Sequence, residues 1–162
     1  MKIVLRTLLY LALIVWLGAE IFFPVVAAIT FMTLPDTHAA GTIVGQLLRI
    51  LHGMGLISGA IALALLALAP SWGIYKSRTV VAPMILLIVM IAGTCYSQFI
   101  VIPSMERDRI AAGGDVNAAD AANPARIHFN HFHVLSEGLE QAILLVGLAT
   151  VVLVARAETV RQ

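Results

Sequence analysis

Cysteine and charge are what this sequence has least of. One cysteine, Cys95, occurs among 162 residues, and only 12% of the residues are charged. A lone cysteine excludes an intrachain disulfide and a metal cage built on cysteines. Soluble domains carry about 25% charged residues, so this chain cannot clothe an ordinary water-facing surface. Ten Lys+Arg against nine Asp+Glu leave a net charge of +1, and no basic surplus points to nucleic acid. There is no Gly-x-Ser-x-Gly elbow, no phosphate loop, no dinucleotide fingerprint and no Cys-x-x-Cys-His haem attachment. No motif therefore argues for an enzyme. What the chain has in excess is apolar: 60% of its residues are hydrophobic, against about 45–50% in a soluble domain. Disordered chains are poor in such residues. The composition is that of a small integral membrane protein.

Charges are costly in hydrocarbon, so the gaps between them mark the spans. Only Glu20 interrupts the run from Arg6 to Asp36, only Arg49 the run from Asp36 to Lys76, and nothing the run from Arg78 to Glu106. A spanning helix needs about 20 apolar residues. The expected fold is an all-α, four-helix transmembrane bundle forming a single domain, with helices near 5–34, 37–69, 78–104 and 124–156. Between the last two, residues 105–123 read as a solvated loop with a helical stub at Met105–Ile110. Pro24 lies inside the first helix and is expected to bend it. Asp36 and Ser77 are expected to cap the second and third helices. Asn123-Pro124 offers a cap and a first-turn proline for the last.

Six Lys/Arg (Lys2, Arg6, Lys76, Arg78, Arg156, Arg161) flank one side and three (Arg107, Arg109, Arg126) the other. The excess of positive charge places both termini in the cytoplasm, with a bacterial cytoplasmic membrane as the expected location. The opening MKIVLRTLLY resembles a signal peptide, with Val26-Ala27-Ala28 as a cleavage site. The apolar run continues to Leu34, too long for that reading.

Polar residues inside the spans carry the functional information. At about 1.5 Å per residue, Glu20 lies roughly 20 Å along its helix from Thr7 and His52 roughly 30 Å from Trp72. Tyr96, Gln98, Glu137 and Glu140 fall at similar depth. All four helices thus place polar groups in the outer half, and the cytoplasmic half is almost purely apolar. His133, Glu137 and Glu140 recur at helical spacing, as do Arg49 and His52. The sequence-level site is an outer polar pocket of Glu20, Arg49, His52, Gln98, His133, Ser136, Glu137 and Glu140. Intramembrane ionisable residues are functional-site candidates. Three crowded carboxylates beside one arginine are expected to take up a proton or meet a cation. The plainer reading is that Glu20 pairs with Arg49 only to hold the bundle together.

Three function classes follow. The leading one is binding or passage of a proton, a metal ion or a cationic ligand at this pocket, with His52, His133, Glu137 and Glu140 as candidate metal ligands. The second is an accessory subunit that packs against a larger membrane complex or a second copy of itself. The Gly41-x-x-x-Gly45 and Gly55-x-x-x-Gly59 pairs let helices approach closely, with packing inside the monomer as the first expectation. The third is a b-type haem or other tetrapyrrole protein with His52 or His133 as axial ligand. Against a two-metal bundle site, Glu-x-x-His is missing; the chain has Glu137-x-x-Glu140 and Arg49-x-x-His52 instead.

Four stretches carry a family likeness. They are Trp16-Leu17-Gly18 through Phe22, Phe23, Ala27, Ala28 and Phe31; Gly41-Thr42-Ile43-Val44-Gly45; Gln98-Phe99-Ile100-Val101-Ile102-Pro103 with Arg107; and Phe129-Asn130-His131-Phe132-His133-Val134-Leu135-Ser136. The chain resembles the bacterial members of a four-helix membrane family related to human transmembrane protein 205. The last stretch resembles that family's Phe-x-x-Leu-His-x-x-Ser signature, which marks His133 and Ser136 as its polar pair. The resemblance implies fold and location more than activity. Gln98 and Glu140 stand where the family usually has asparagine, Glu137 is an additional acid, and a proline usual near Ile29 is absent. The resemblance thus implies a site more acidic here than is typical.

Overall fold

The computed structural model describes residues 2–159, so Arg161, counted above for orientation, lies outside the described residues. Four long apolar stretches fold as helices, because hydrocarbon offers backbone amides and carbonyls no partner but each other. Helix α1 covers Lys2–Thr33, α2 Thr37–Leu68 and α3 Ser77–Tyr96. A wider π turn, Ser97–Val101, joins α3 to α4, Ile102–Ala111. The last helix, α5, covers Pro124–Thr159. The third span is thus α3, the π turn and α4 in sequence, and it consumes residues 105–111 of the expected loop. The protein is an integral membrane four-helix bundle, with large apolar side chains such as Ile14, Phe22, Ile57 and Val152 exposed on its perimeter.

The connections follow local chemistry. Asp36 caps α2, its carboxylate accepting from the amides of His38 (2.9 Å) and Ala39 (3.3 Å). Asn123 accepts from the Ala125 amide (2.9 Å) ahead of Pro124. Ser77 does not cap α3; Lys76 holds the cap position without a side-chain bond, and Ser77 is the first helical residue. Its hydroxyl already sits inside the first turn, where it cannot reach back over the following amides. Pro24 lies within a continuous α1.

Neighbours run α1–α2–α3–α5 and back to α1, with α4 leaning on α5. Lys2 and Thr159, the ends of the described chain, therefore lie at one end, and residues 112–123 at the other. At the terminal end, Lys2 donates to the Gly73 carbonyl (3.1 Å) and Tyr75 to Glu158 (2.9 Å). Gly73 takes a left-handed φ of 61° in that turn, a conformation suited to glycine.

The apolar core occupies the terminal half. Leu9, Leu13, Trp16, Leu17, Leu66, Leu87, Met90 and Val154 are among its buried members. Trp16 lies across Gly55 and Gly59 of α2: a Cβ at Gly55 would stand 2.5 Å from the indole nitrogen, and one at Gly59 would strike the ring. That glycine pair packs inside the monomer.

A buried histidine bridges two helices

Where the core ends, toward the 112–123 loop, all four spans contribute polar side chains to one region. His52 of α2 is fully buried. Its Nε2 is hydrogen-bonded to Glu140 Oε1 of α5 (2.9 Å), and its Nδ1 lies 3.0 Å from Gln98 Oε1 of the π turn, with the ring's protonation setting which nitrogen donates. Ser97 donates its hydroxyl to the same Glu140 oxygen (3.0 Å). Glu20 of α1 is 4% exposed and accepts from the Trp16 indole N–H (3.1 Å).

Local sequence explains each placement. On α2, the buried residues Leu51, His52, Gly55, Ser58, Gly59, Ala62 and Leu66 form one stripe at helical spacing. On α5 the inward stripe is Ser136, Ile143, Gly147, Thr150 and Val154, and Glu140 falls between its first two members. On the third span, Pro103 has no amide to give back to the preceding turn. The backbone widens there, and the Ile102 amide reaches the Ser97 carbonyl five residues back. Such one-turn bulges are frequent at functional sites. This one presents Ser97 and Gln98 toward α2 and α5 together.

The expected pocket is therefore brought together only in part. His52, Gln98 and Glu140 meet, Glu20 is buried nearby and bonded to Trp16, and Ser136 is buried on the same α5 stripe. Arg49 does not join them. It is exposed, and its charge acts on Glu106 of α4. The spacing Arg49-x-x-His52 leaves it about 100° past the inward position 48, since each residue turns a helix by that angle. The Glu20–Arg49 pairing expected from sequence is absent among the described hydrogen bonds and ion pairs. Glu137 follows the buried Ser136 by one residue and turns outward for the same reason. It faces His133 at 3.6 Å, and both side chains are about half exposed or more, 62% and 49%. Sequence reasoning also missed Ser97 and Trp16. A serine beside a proline-disturbed turn and a tryptophan one turn from an intramembrane glutamate were the available signals.

Both ring nitrogens of His52 are engaged. Among the described residues no group of three His, Cys, Asp or Glu side chains stands close enough to hold a metal ion. Glu140 Oε2 is buried without a hydrogen-bond partner. In the observed orientation of Gln98 both nitrogens of His52 face oxygen acceptors, the pattern that a doubly protonated ring satisfies. Rotating the carboxamide would present –NH2 instead and suit a ring with one proton fewer.

These features define a class: a four-helix membrane protein with an acid–histidine centre buried between its spans. A family model, "Domain of unknown function (DUF4149)", matches residues 11–110. The match covers more than half of the chain, and the protein belongs to this family, which is distantly related to the transmembrane protein 205-like proteins. Three contributors to the centre, Glu20, His52 and Gln98, lie inside the matched region; Glu140 lies beyond it. No curated protein and no solved structure matches the chain.

Proposed function

We propose that Glu20, His52 and Glu140 form a proton-binding site inside the membrane. The observation that carries this reading is the fully buried His52 ring, which joins α2 to the Glu140 carboxylate of α5, with a second buried carboxylate, Glu20, on the neighbouring α1. Among the described residues no lysine or arginine is hydrogen-bonded to any of the three. Two bare carboxylates with at most one cationic ring are costly in so dry a place, and a proton shared among them lowers that cost. The groups facing the centre are Glu20 from α1, His52 from α2 and Glu140 from α5; the π turn brings only the neutral Ser97 and Gln98. Arg49, His133 and Glu137 lie outside it. By the excess of Lys2, Arg6, Lys76, Arg78 and Arg156 at the terminal end, we place that end in the cytoplasm, in a bacterial cytoplasmic membrane. The polar centre then lies nearer the outer face.

The chain has two tryptophans, and Trp72→Phe leaves Trp16 as the only one. Trp16 donates to Glu20, so its emission reads the charge on that carboxylate. In lipid vesicles, emission is expected to titrate within about pH 4 to 9, the range of carboxylates and imidazoles. Glu20→Gln should abolish the change and Glu140→Gln should move its midpoint. A flat wild-type titration overturns the reading.

A second reading has one observation of its own. Unlike Gly55 and Gly59, Gly45 has nothing within 4 Å of a built Cβ, and Gly41 has only Phe31, at 4.0 Å. This pair is open to a helix of another subunit or a second copy of the chain.

A further inference from the structure

The centre contains a buried hydroxyl that the hydrogen-bond network above does not use. Thr94 of α3 is fully buried, and its Oγ1 has no hydrogen-bond partner, not even the Met90 carbonyl one turn back. Glu140 Oε2 is likewise buried and unpartnered. Two such atoms are uncommon in a well-packed interior, where buried polar groups are paired by protein or by ordered water.

Packing places them near one another. A Cβ on Gly147 would meet the side chains of both Leu17 and Met90, so α1, α3 and α5 come together at that level. One turn toward the loop end from Leu17 stands Glu20, and one turn from Met90 in the same direction stands Thr94. Glu20 and Thr94 therefore share a depth in the bundle. One turn further on, Ser97 holds Glu140. Thr94 lies directly before Ser97 on the buried stripe Leu87, Met90, Thr94, Ser97, Val101. Trp16 occupies Glu20 Oε1, and no hydrogen bond is formed by Glu20 Oε2 among the described residues.

We infer that a single ordered water binds here, held by the Thr94 hydroxyl and Glu140 Oε2, and that it links Glu140 to Glu20 across the bundle. This rests on the proton-binding reading and deepens it: Thr94 is the positioning residue that joins two carboxylates into one relay. Water satisfies the site because it donates to the carboxylate and exchanges a hydrogen bond with the hydroxyl, two of the 2–4 bonds that a buried water typically makes.

Thr94→Val is nearly isosteric and removes only the hydroxyl, and Thr94→Ser retains it. Two measurements on the vesicle-reconstituted protein separate the outcomes. The first is thermal stability. If the hydroxyl holds a water, Thr94→Val melts below wild type and Thr94→Ser close to it. If the hydroxyl is dry and orphaned, its removal raises the melting temperature, because a buried polar group without a partner costs stability; that result overturns the water site. The second is the Trp16 titration in the Trp72→Phe background. Thr94→Val is expected to move the midpoint by about half a unit to one unit, the size of one ordinary hydrogen bond lost from one protonation state. Thr94→Ser should restore it. A wild-type titration that Thr94→Val leaves unchanged overturns the relay while the proton-binding reading stands. A wild type that does not titrate removes both, and the melting comparison still decides whether the water is there.

Discussion

At the scale of single residues, the bundle is organised around Trp16. Between helices in lipid there is little hydrophobic drive, so association rests on close packing and on hydrogen bonds. Trp16 supplies both: its ring fills the notch over Gly55 and Gly59, and its N–H fixes Glu20. The ring has no flexible end that can swing away. Gly55→Ala or Gly59→Ala is therefore expected to cost about 1–3 kcal/mol, as overpacking does elsewhere. Gly45→Ala meets nothing and should be neutral or gain up to about 1 kcal/mol from helix propensity. Unfolding midpoints in mixed micelles of rising sodium dodecyl sulfate check the contrast. Most of the centre was legible at this scale, because Glu20, His52, Gln98 and Glu140 are conspicuous inside apolar runs. Arg49, His133 and Glu137 were equally conspicuous and face elsewhere. Spacing of three or four residues tolerates errors approaching 100°, and only packing against named neighbours resolves which flank of a helix turns in. Thr94 was illegible because a lone hydroxyl is unremarkable in a membrane helix, where it can bond its own backbone.

At the scale of elements, the third span shows what periodicity alone misses. Its helix continues to Ala111, and the π turn shifts every later residue by one position relative to a regular helix. Pro103 was visible in the sequence, yet a proline predicts a disturbance without its form: a kink, a break or a widened turn. The opposite end of the bundle is closed by a tie between elements. Tyr75, in the α2–α3 connection, donates to Glu158 of α5, while Arg6 of α1 stacks on the Tyr75 ring at 5.7 Å and stands 3.8 Å from Glu158. Burial, then the Glu158 hydrogen bond, raises the Tyr75 hydroxyl above its ordinary titration range. The folded state thus keeps this proton where the unfolded chain gives it up. The tie's contribution is complete below the ordinary tyrosine value of about 10 and declines as pH rises beyond it. Melting temperatures should fall more steeply above that pH for wild type than for Tyr75→Phe, which has no proton to lose there. Parallel slopes would show that the tie does not hold the elements.

For the molecule as a whole, the two halves of the bundle are built differently. The buried residues of α1 end at Glu20; on α2 only Ala40 is buried before Leu51; on α5 only Ser136 is buried before Ile143. The acid–histidine centre therefore sits at the border between a tightly packed terminal half and a loop-end half in which the helices meet less. The sequence foreshadowed this division, since its intramembrane acids and histidines all lie on one side of an apolar stretch. It did not show that apolar residues beyond Glu20, such as Phe22, Val25 and Ile29, are exposed on the perimeter rather than buried. Composition reads the same for a side chain that faces lipid and one that faces another helix. Local stability follows packing, and segments with few buried contacts open most readily. Amide hydrogen exchange in mild detergent should therefore be slowest over Leu9–Glu20, Leu51–Leu66 and Ile143–Val154. It should be faster over residues 21–33, 41–50 and 125–135, which lie in equally long helices. Exchange that tracked helix length alone would remove this asymmetry. Slow exchange ending at Glu20, His52 and Glu140 would instead mark the polar centre as the boundary of the packed core, the place where a proton or a water can reach buried side chains without unfolding the bundle.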